Sequence, residues 1–241
     1  GLVAVPINSK LHPKELEFIF ADSGAGLAFT TPELSEGVPV SVDVIEVGSR
    51  EYERAIATPR SPRGPISVSA GDPAWLFYTS GTTGQPKGAV LSHANLLHMS
   101  LAYVADIERP VPGHTLLHAA PMSHGSGLYA LPHLAGGGLN QIPESGGFEV
   151  EEVLSAIASN TKVSFFAAPT MVTRLLGSPK LGDADLRELQ TIVYGGAPMY
   201  VSDTLRAIDV FGPRLFNLYG QGESPMTIAG LPQSAHADRD H

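Results

Sequence analysis

The sequence predicts an α/β fold, doubly wound, with mostly parallel sheets and helices on both faces, arranged as two subdomains. Two observations carry that prediction. Short apolar runs alternate with helix-like stretches through most of the 241 residues. Apolar residues make up 43% of the chain and charged residues 16%, which supplies a core and argues against disorder. A chain of this length buries roughly 70–75% of the surface its unfolded form exposes, so the core needs no covalent staple.

Each element has its own signal. Residues 2–7 read as a strand, and 13–21 as a helix with Pro13 in its first turn. Residues 27–30 and 40–47 read as short strands. Residues 49–71 carry Pro59, Pro62 and Pro65 with little periodicity and read as a surface connection. A strand at 75–79 leads into a glycine-rich loop and a strand at 89–91; Ser92 can then cap a helix from 93 to about 106. The alternation continues with strand 115–119, a helix around 127–134, strand 138–142, helix 150–159, strand 162–168 and a short helix from Pro169 to 176. Strand 190–194 precedes Gly195-Gly196-Ala197-Pro198, Ser202 can cap a helix to 211, and 214–218 is the last clear strand. The tail from 233 is polar and closes no element. Pro110 and Pro112-Gly113 suggest a break between subdomains 1–110 and 111–241. Residues 1–6 look like a strand entered midway, as expected of a chain that begins inside a longer protein.

Charge and composition exclude several functions. Lys and Arg number 15 against 24 Asp and Glu, a net charge of −9, and no basic stripe suited to nucleic acid is visible. Arg60 and Arg63 form at most a short basic loop. Zero cysteines exclude disulfide scaffolds, iron–sulfur clusters and thiolate chemistry, and fit a reducing, cytoplasmic setting. No apolar run reaches the ~18 residues that span a membrane, and the first residues lack a signal peptide's pattern. Glycine (26) and proline (20) together stay under a fifth of the chain, short of the roughly 25–30% of low-complexity sequence. The nine histidines include His114 and His118 at i,i+4, but on a strand that spacing does not build a zinc site. No G-x-S-x-G elbow supports a serine hydrolase. Glu151-Glu152 reads as a solvated helix face.

The most informative segment is Tyr78-Thr79-Ser80-Gly81-Thr82-Thr83-Gly84-Gln85-Pro86-Lys87-Gly88. Three glycines allow tight turning and close approach to a ligand, hydroxyls and backbone amides supply donors, and Lys87 adds a mobile point charge. Such a loop suits polyphosphate, because anions bind where amide dipoles converge. Each charge-assisted hydrogen bond contributes about 1.5–3 kcal/mol. The loop is not a Walker A motif, since Pro86 precedes Lys87 and Gly88 follows it, and there is no G-x-G-x-x-G.

All eleven positions resemble the phosphate loop of the adenylate-forming (ANL) superfamily of acyl-CoA synthetases, peptide-synthetase adenylation domains and luciferases. The resemblance implies that Thr79, Ser80, Gly81, Thr82, Thr83, Gly84 and Lys87 hold the β- and γ-phosphates of ATP. Other motifs follow in the family's order. Gly195-Gly196-Ala197-Pro198 resembles the segment beside adenine and the acyl pocket. Tyr219-Gly220-Gln221-Gly222-Glu223 is similar to Tyr-Gly-x-Thr-Glu, which implies adenine stacking by Tyr219 and Mg²⁺ binding by Glu223. Gly222 departs from the usual Thr, so a hydroxyl near the α-phosphate is missing there. Pro121-Met122-Ser123-His124-Gly125-Ser126-Gly127 resembles Pro-x-x-His-x-x-Gly, which implies that His124 lines the carboxylate end of the acid pocket. Peptide-synthetase adenylation domains of that superfamily typically carry an Asp here to pair with the substrate's amino group. No acidic residue lies between Pro121 and Gly138, so the resemblance implies an acid without an α-ammonium group.

The resemblance thus implies a partial N-terminal domain of the ANL type. Residues 1–110 would carry the phosphate loop and 111–241 the adenine and acyl pocket, with the small C-terminal domain absent. Lys87, Glu223 and His124 would be catalytic. The implied reaction is ATP-dependent activation of a carboxylic acid to an acyl-adenylate, followed by transfer to coenzyme A, with Mg²⁺. Aryl, medium-chain and long-chain acids all fit. Two alternatives stay open: loading of a carrier protein or a luciferase-like fate for the adenylate, and a non-catalytic nucleotide-binding relative. A homo-oligomer stays open.

Overall fold

A computed structural model describes residues 1–57, 64, 66–79, 85–236 and 238. The contacts divide the chain into two compact units, Gly1–Ala94 and Asn95–His241. The proline-rich segment at 110–113 lies inside the second.

In the first unit, helix α1 (Pro13–Ser23) starts on a reciprocal cap. His12 accepts from the Lys14 amide, and the Glu15 carboxylate accepts from the His12 amide at 3.0 Å. Strand β1 (Leu27–Thr30) runs parallel to β2 (Asp43–Glu46), with the one-turn helix α2 (Pro32–Ser35) between them. The segment read as a surface connection contains a helix, α3 (Arg50–Ala57). Ser49 accepts from the Tyr52 amide at 3.1 Å, an N-cap that the prolines downstream obscured. Strands β3 (Pro73–Thr79) and β4 (Lys87–Ser92) form an antiparallel pair. The expected strand at 2–7 shrinks to one bridge, in which Ala4 pairs with Trp75.

Helix α4 (His93–Asp106) begins where the sequence places it and continues into the second unit. There a six-stranded sheet is built from β5 (Thr115–Leu117), β6 (Leu139–Gln141), β7 (Val163–Ala167), β8 (Leu189–Gly195), β9 (Leu215–Gln221) and β10 (Ser224–Leu231). Their spatial order is β10-β9-β8-β7-β5-β6, parallel throughout except for β10. Helices complete it: α5 (Gly125–Leu128), α6 (Ala130–Ala135), α7 (Val150–Ser159), α8 (Pro169–Leu176), α9 (Val201–Phe211) and the single turn α10 (Gln233–His236).

Both faces of this sheet are covered, the doubly wound arrangement expected from the alternation. On one face, Val153 and Ile157 of α7, Val172 and Leu175 of α8, and Ala207 and Phe211 of α9 pack on Phe165, Ile192 and Leu215. Each of these side chains is at most 1% exposed. Fully burying one such side chain contributes about 1.5–3 kcal/mol, so this layer dominates the unit's stability. The opposite face carries Ser164 and Thr191, which both donate to Glu108, two residues beyond the end of α4.

Three local expectations are corrected. The helix around 127–134 is two short helices, because α5 ends at Leu128 and Tyr129 restarts the chain as the N-cap of α6. Helix α9 is preceded by Tyr200 as N-cap, two residues earlier than the expected Ser202 cap. Strand β10 follows the supposed last strand, its pattern broken by Pro225, Gly230 and a bulge in which Met226 adopts φ +58°.

Candidate functional site

In a parallel sheet the loops leaving the carboxyl ends of the strands gather on one side, where ligands bind. Three segments singled out in the sequence leave the second unit's strands there: the turn after β5, the turn after β8 and the end of β9.

The last two meet. Gly196, Ala197, Pro198, Tyr219 and Gly220 line one cleft of about 450 Å³, together with Tyr194, Met199, Asn217 and Leu218. Gly196 holds φ +82°, a left-handed conformation that only glycine adopts without strain, and a side chain there would meet no neighbour. The backbone is therefore bare where the cleft opens. Tyr219 is 53% exposed, its ring unburied by protein, and Gln221 Nε2 donates to its hydroxyl at 3.1 Å. A flat aromatic ring beside exposed backbone suits a planar heterocycle, with base–aromatic stacking worth about 1–3 kcal/mol. Gly195 lies buried beneath this wall at the end of β8.

The remaining residues of that motif lie outside the cleft lining. Gly222 is buried and Glu223 exposed, and together they form the two-residue turn between the paired Gln221 and Ser224. Among the described residues no three His, Asp or Glu side chains gather into a metal cage. Glu223 thus offers one carboxylate at a hairpin tip. That suits Mg²⁺, which is commonly held by one or two carboxylates plus phosphates and water.

The turn after β5 carries His124, exposed at the surface, with Ser123 Oγ 2.9 Å from its Nδ1. Partial desolvation by the turn lowers its pKa from the ordinary histidine value, which favours the neutral ring. The turn is closed so tightly that a side chain on Gly127 would collide with the Met122 carbonyl oxygen. His124 is not among the residues lining the Tyr219 cleft.

In the first unit, Thr79 and Lys87 are direct partners at the end of the β3–β4 pair, with Lys87 exposed. Ser80, Gly81, Thr82, Thr83 and Gly84 lie outside the described residues. Beside the loop's base, Tyr78 donates to Asp22 Oδ2 at 2.6 Å, and its burial and this carboxylate push the phenol's pKa up.

Tyr194, Met199, Asn217 and Leu218 also line the cleft but were not predicted as site residues. Tyr194 and Asn217 face each other across β8 and β9, and Asn217 Nδ2 donates to the Tyr194 carbonyl at 3.2 Å. The available signal was their position flanking the two glycine motifs; the pairing itself is a property of the sheet.

With this geometry in view, the comparisons with known proteins agree. The family model for AMP-binding enzymes matches residues 1–240, and the chain belongs to that family. A feruloyl-CoA synthase from Amycolatopsis sp is 32% identical over 243 aligned positions, which cover 99% of this chain and 48% of the relative. A fatty acid–[acyl-carrier-protein] ligase, ScoC, from Streptomyces coeruleorubidus is 28% identical over 98% of this chain and 47% of its own length. The crystal structure of ATP-bound MatB from Rhodopseudomonas palustris superposes with a TM-score of 0.81 at 28% identity, covering 96% of this chain and 47% of that one. The chain spans about half the length of the curated relatives it matches.

Proposed function

We propose that this chain is the nucleotide- and acid-binding part of an acid–CoA ligase that forms AMP. The observation that carries the reading is the cleft in which Gly196–Pro198 and Tyr219–Gly220, distant in sequence, come together. Tyr219 stacks on adenine against the bare backbone at Gly196. The segment from Thr79 to Lys87 takes the β- and γ-phosphates, and His124 lines the carboxylate end of the acid pocket.

Two displacements follow from these roles. A carboxylate oxygen attacks the α-phosphorus of ATP, and the bond to the bridging oxygen breaks, releasing pyrophosphate and leaving an acyl-adenylate. The thiol sulfur of coenzyme A then attacks the acyl carbon, the thiol proton is lost, and AMP departs. The protein's contribution is positioning and charge neutralisation. Lys87 compensates charge on the departing pyrophosphate, and Glu223 would hold Mg²⁺, which would supply further charge neutralisation there. Neutral His124 presents no positive charge to trap the carboxylate as an ion pair.

The test is acid-dependent exchange of labelled pyrophosphate into ATP by the full-length protein, over aryl, medium-chain and long-chain acids. Lys87→Ala and Glu223→Ala each slow exchange at least about tenfold, equal to roughly 1.4 kcal/mol of barrier. Wild-type rates in both variants refute the assigned roles. The likeness to the ScoC ligase supports a second reading, transfer to a carrier-protein thiol. Product analysis with free coenzyme A and with a phosphopantetheinylated carrier separates the two.

A further inference from the structure

We propose that His118 is a positioning residue that fixes the turn bearing His124; the claim rests on the reading of that turn as the acid side of the site. His118 follows β5, where its amide donates to the Gln141 carbonyl at 2.8 Å. Its side chain is buried, 2% exposed, and bonded at both nitrogens. Nδ1 lies 2.9 Å from Ser126 Oγ, and Nε2 lies 2.9 Å from Asn140 Oδ1. The Asn140 oxygen accepts only, so Nε2 carries the proton and Nδ1 accepts from the Ser126 hydroxyl.

The Ser-His-Asn order resembles a nucleophilic triad, but Ser126 is fully buried and no substrate carbonyl can reach it. The bonds therefore serve geometry. Asn140 sits on β6, part of the rigid sheet, and Ser126 sits in α5, two residues beyond His124. Between them the chain has little freedom. The His124 amide donates to the Pro121 carbonyl at 3.1 Å, the Gly127 amide donates to the His124 carbonyl at 3.1 Å, and Gly127 packs on Met122. These contacts close the turn on itself, and the link from His118 to Ser126 ties it to the sheet through a side chain. Burial holds the His118 pKa down, which keeps this ring neutral and the direction of both bonds fixed at neutral pH.

The experiment uses the full-length protein with three variants. Ser126→Ala and His118→Phe remove the tie, whereas His118→Asn keeps a polar group near the Nδ1 position. The first two raise the KM for the acid about fivefold, as expected for one lost hydrogen bond, while the KM for ATP stays at the wild-type value. His118→Asn stays closer to wild type than His118→Phe. In parallel, amide hydrogen exchange over residues 122–127 quickens about fivefold or more in Ser126→Ala, reporting local release. Unchanged exchange there overturns the proposal, as does an equal rise in both KM values. If the wild-type enzyme activates no acid, the exchange data still decide the tie, and it is the acid-side reading that falls.

Discussion

Thr79 and Lys87 are partners in one antiparallel ladder, so the two ends of the predicted phosphate loop are pinned at the same point. Lys87 then acts through a compact charge at the loop's exit. Arg carries the same charge on a wider fork. Lys87→Arg is expected to retain more pyrophosphate exchange than Lys87→Ala while staying below wild type, read in the same assay.

Tyr219 offers a second prediction. Its ring is held open by the cleft and braced by Gln221. Tyr219→Ala weakens ATP binding by about 1–3 kcal/mol, roughly 5- to 150-fold. Tyr219→Phe keeps the stacking face and loses only the brace, so its Kd stays near wild type. Calorimetric titration of ATP measures both, and equal losses in the two variants would remove stacking from the account.

Gly196 is constrained by conformation and not by crowding, since its φ is +82° and no atom lies within 4 Å of an added Cβ. Gly196→Val therefore costs about 1–2 kcal/mol through backbone strain. The melting temperature falls and ATP binds more weakly, because the bare wall gains a side chain. A stability loss without any change in ATP affinity would argue that the wall does not face nucleotide.

Glu108 predicts a pH dependence of stability. Its carboxylate, buried on the sheet face opposite α7–α9, accepts from Tyr103 Oη at 2.7 Å, Ser164 Oγ at 2.8 Å and Thr191 Oγ1 at 2.9 Å, with His133 Nε2 at 3.4 Å. Burial alone would raise its pKa, but hydrogen bonds from His133, Tyr103, Ser164 and Thr191 outweigh it and hold the pKa below 4.5. The folded state thus binds this proton less readily than the unfolded chain. The stabilisation is present above the unfolded pKa and is lost as pH falls through the folded one. Urea unfolding from pH 7 to about 3 shows that loss in wild type and a flatter profile in Glu108→Gln. Glu108→Ala, which strands several buried donors, lowers stability at neutral pH by about 3 kcal/mol or more.

Much of the fold was legible because its strongest elements follow simple rules. Helices α7 and α8 fall where periodicity and the opening Pro169 put them, and the glycine motifs lie at the strand ends. The rest depended on partners far along the chain. Helix α3 hid behind prolines that lie beyond its end, and β10 behind Pro225 and a left-handed Met226. Glu108 and His118 gave no local signal, since a lone acid before a proline-rich turn and a histidine in a strand look ordinary until five other segments close around them. Motif chemistry is local; its support is tertiary.

The most direct test of the central claim is ATP–pyrophosphate exchange by the full-length protein with and without a carboxylic acid. The account predicts exchange that requires an acid and collapses in Lys87→Ala. ATP binding with no exchange under any acid of the panel would contradict it, and would leave a nucleotide-binding relative that activates nothing.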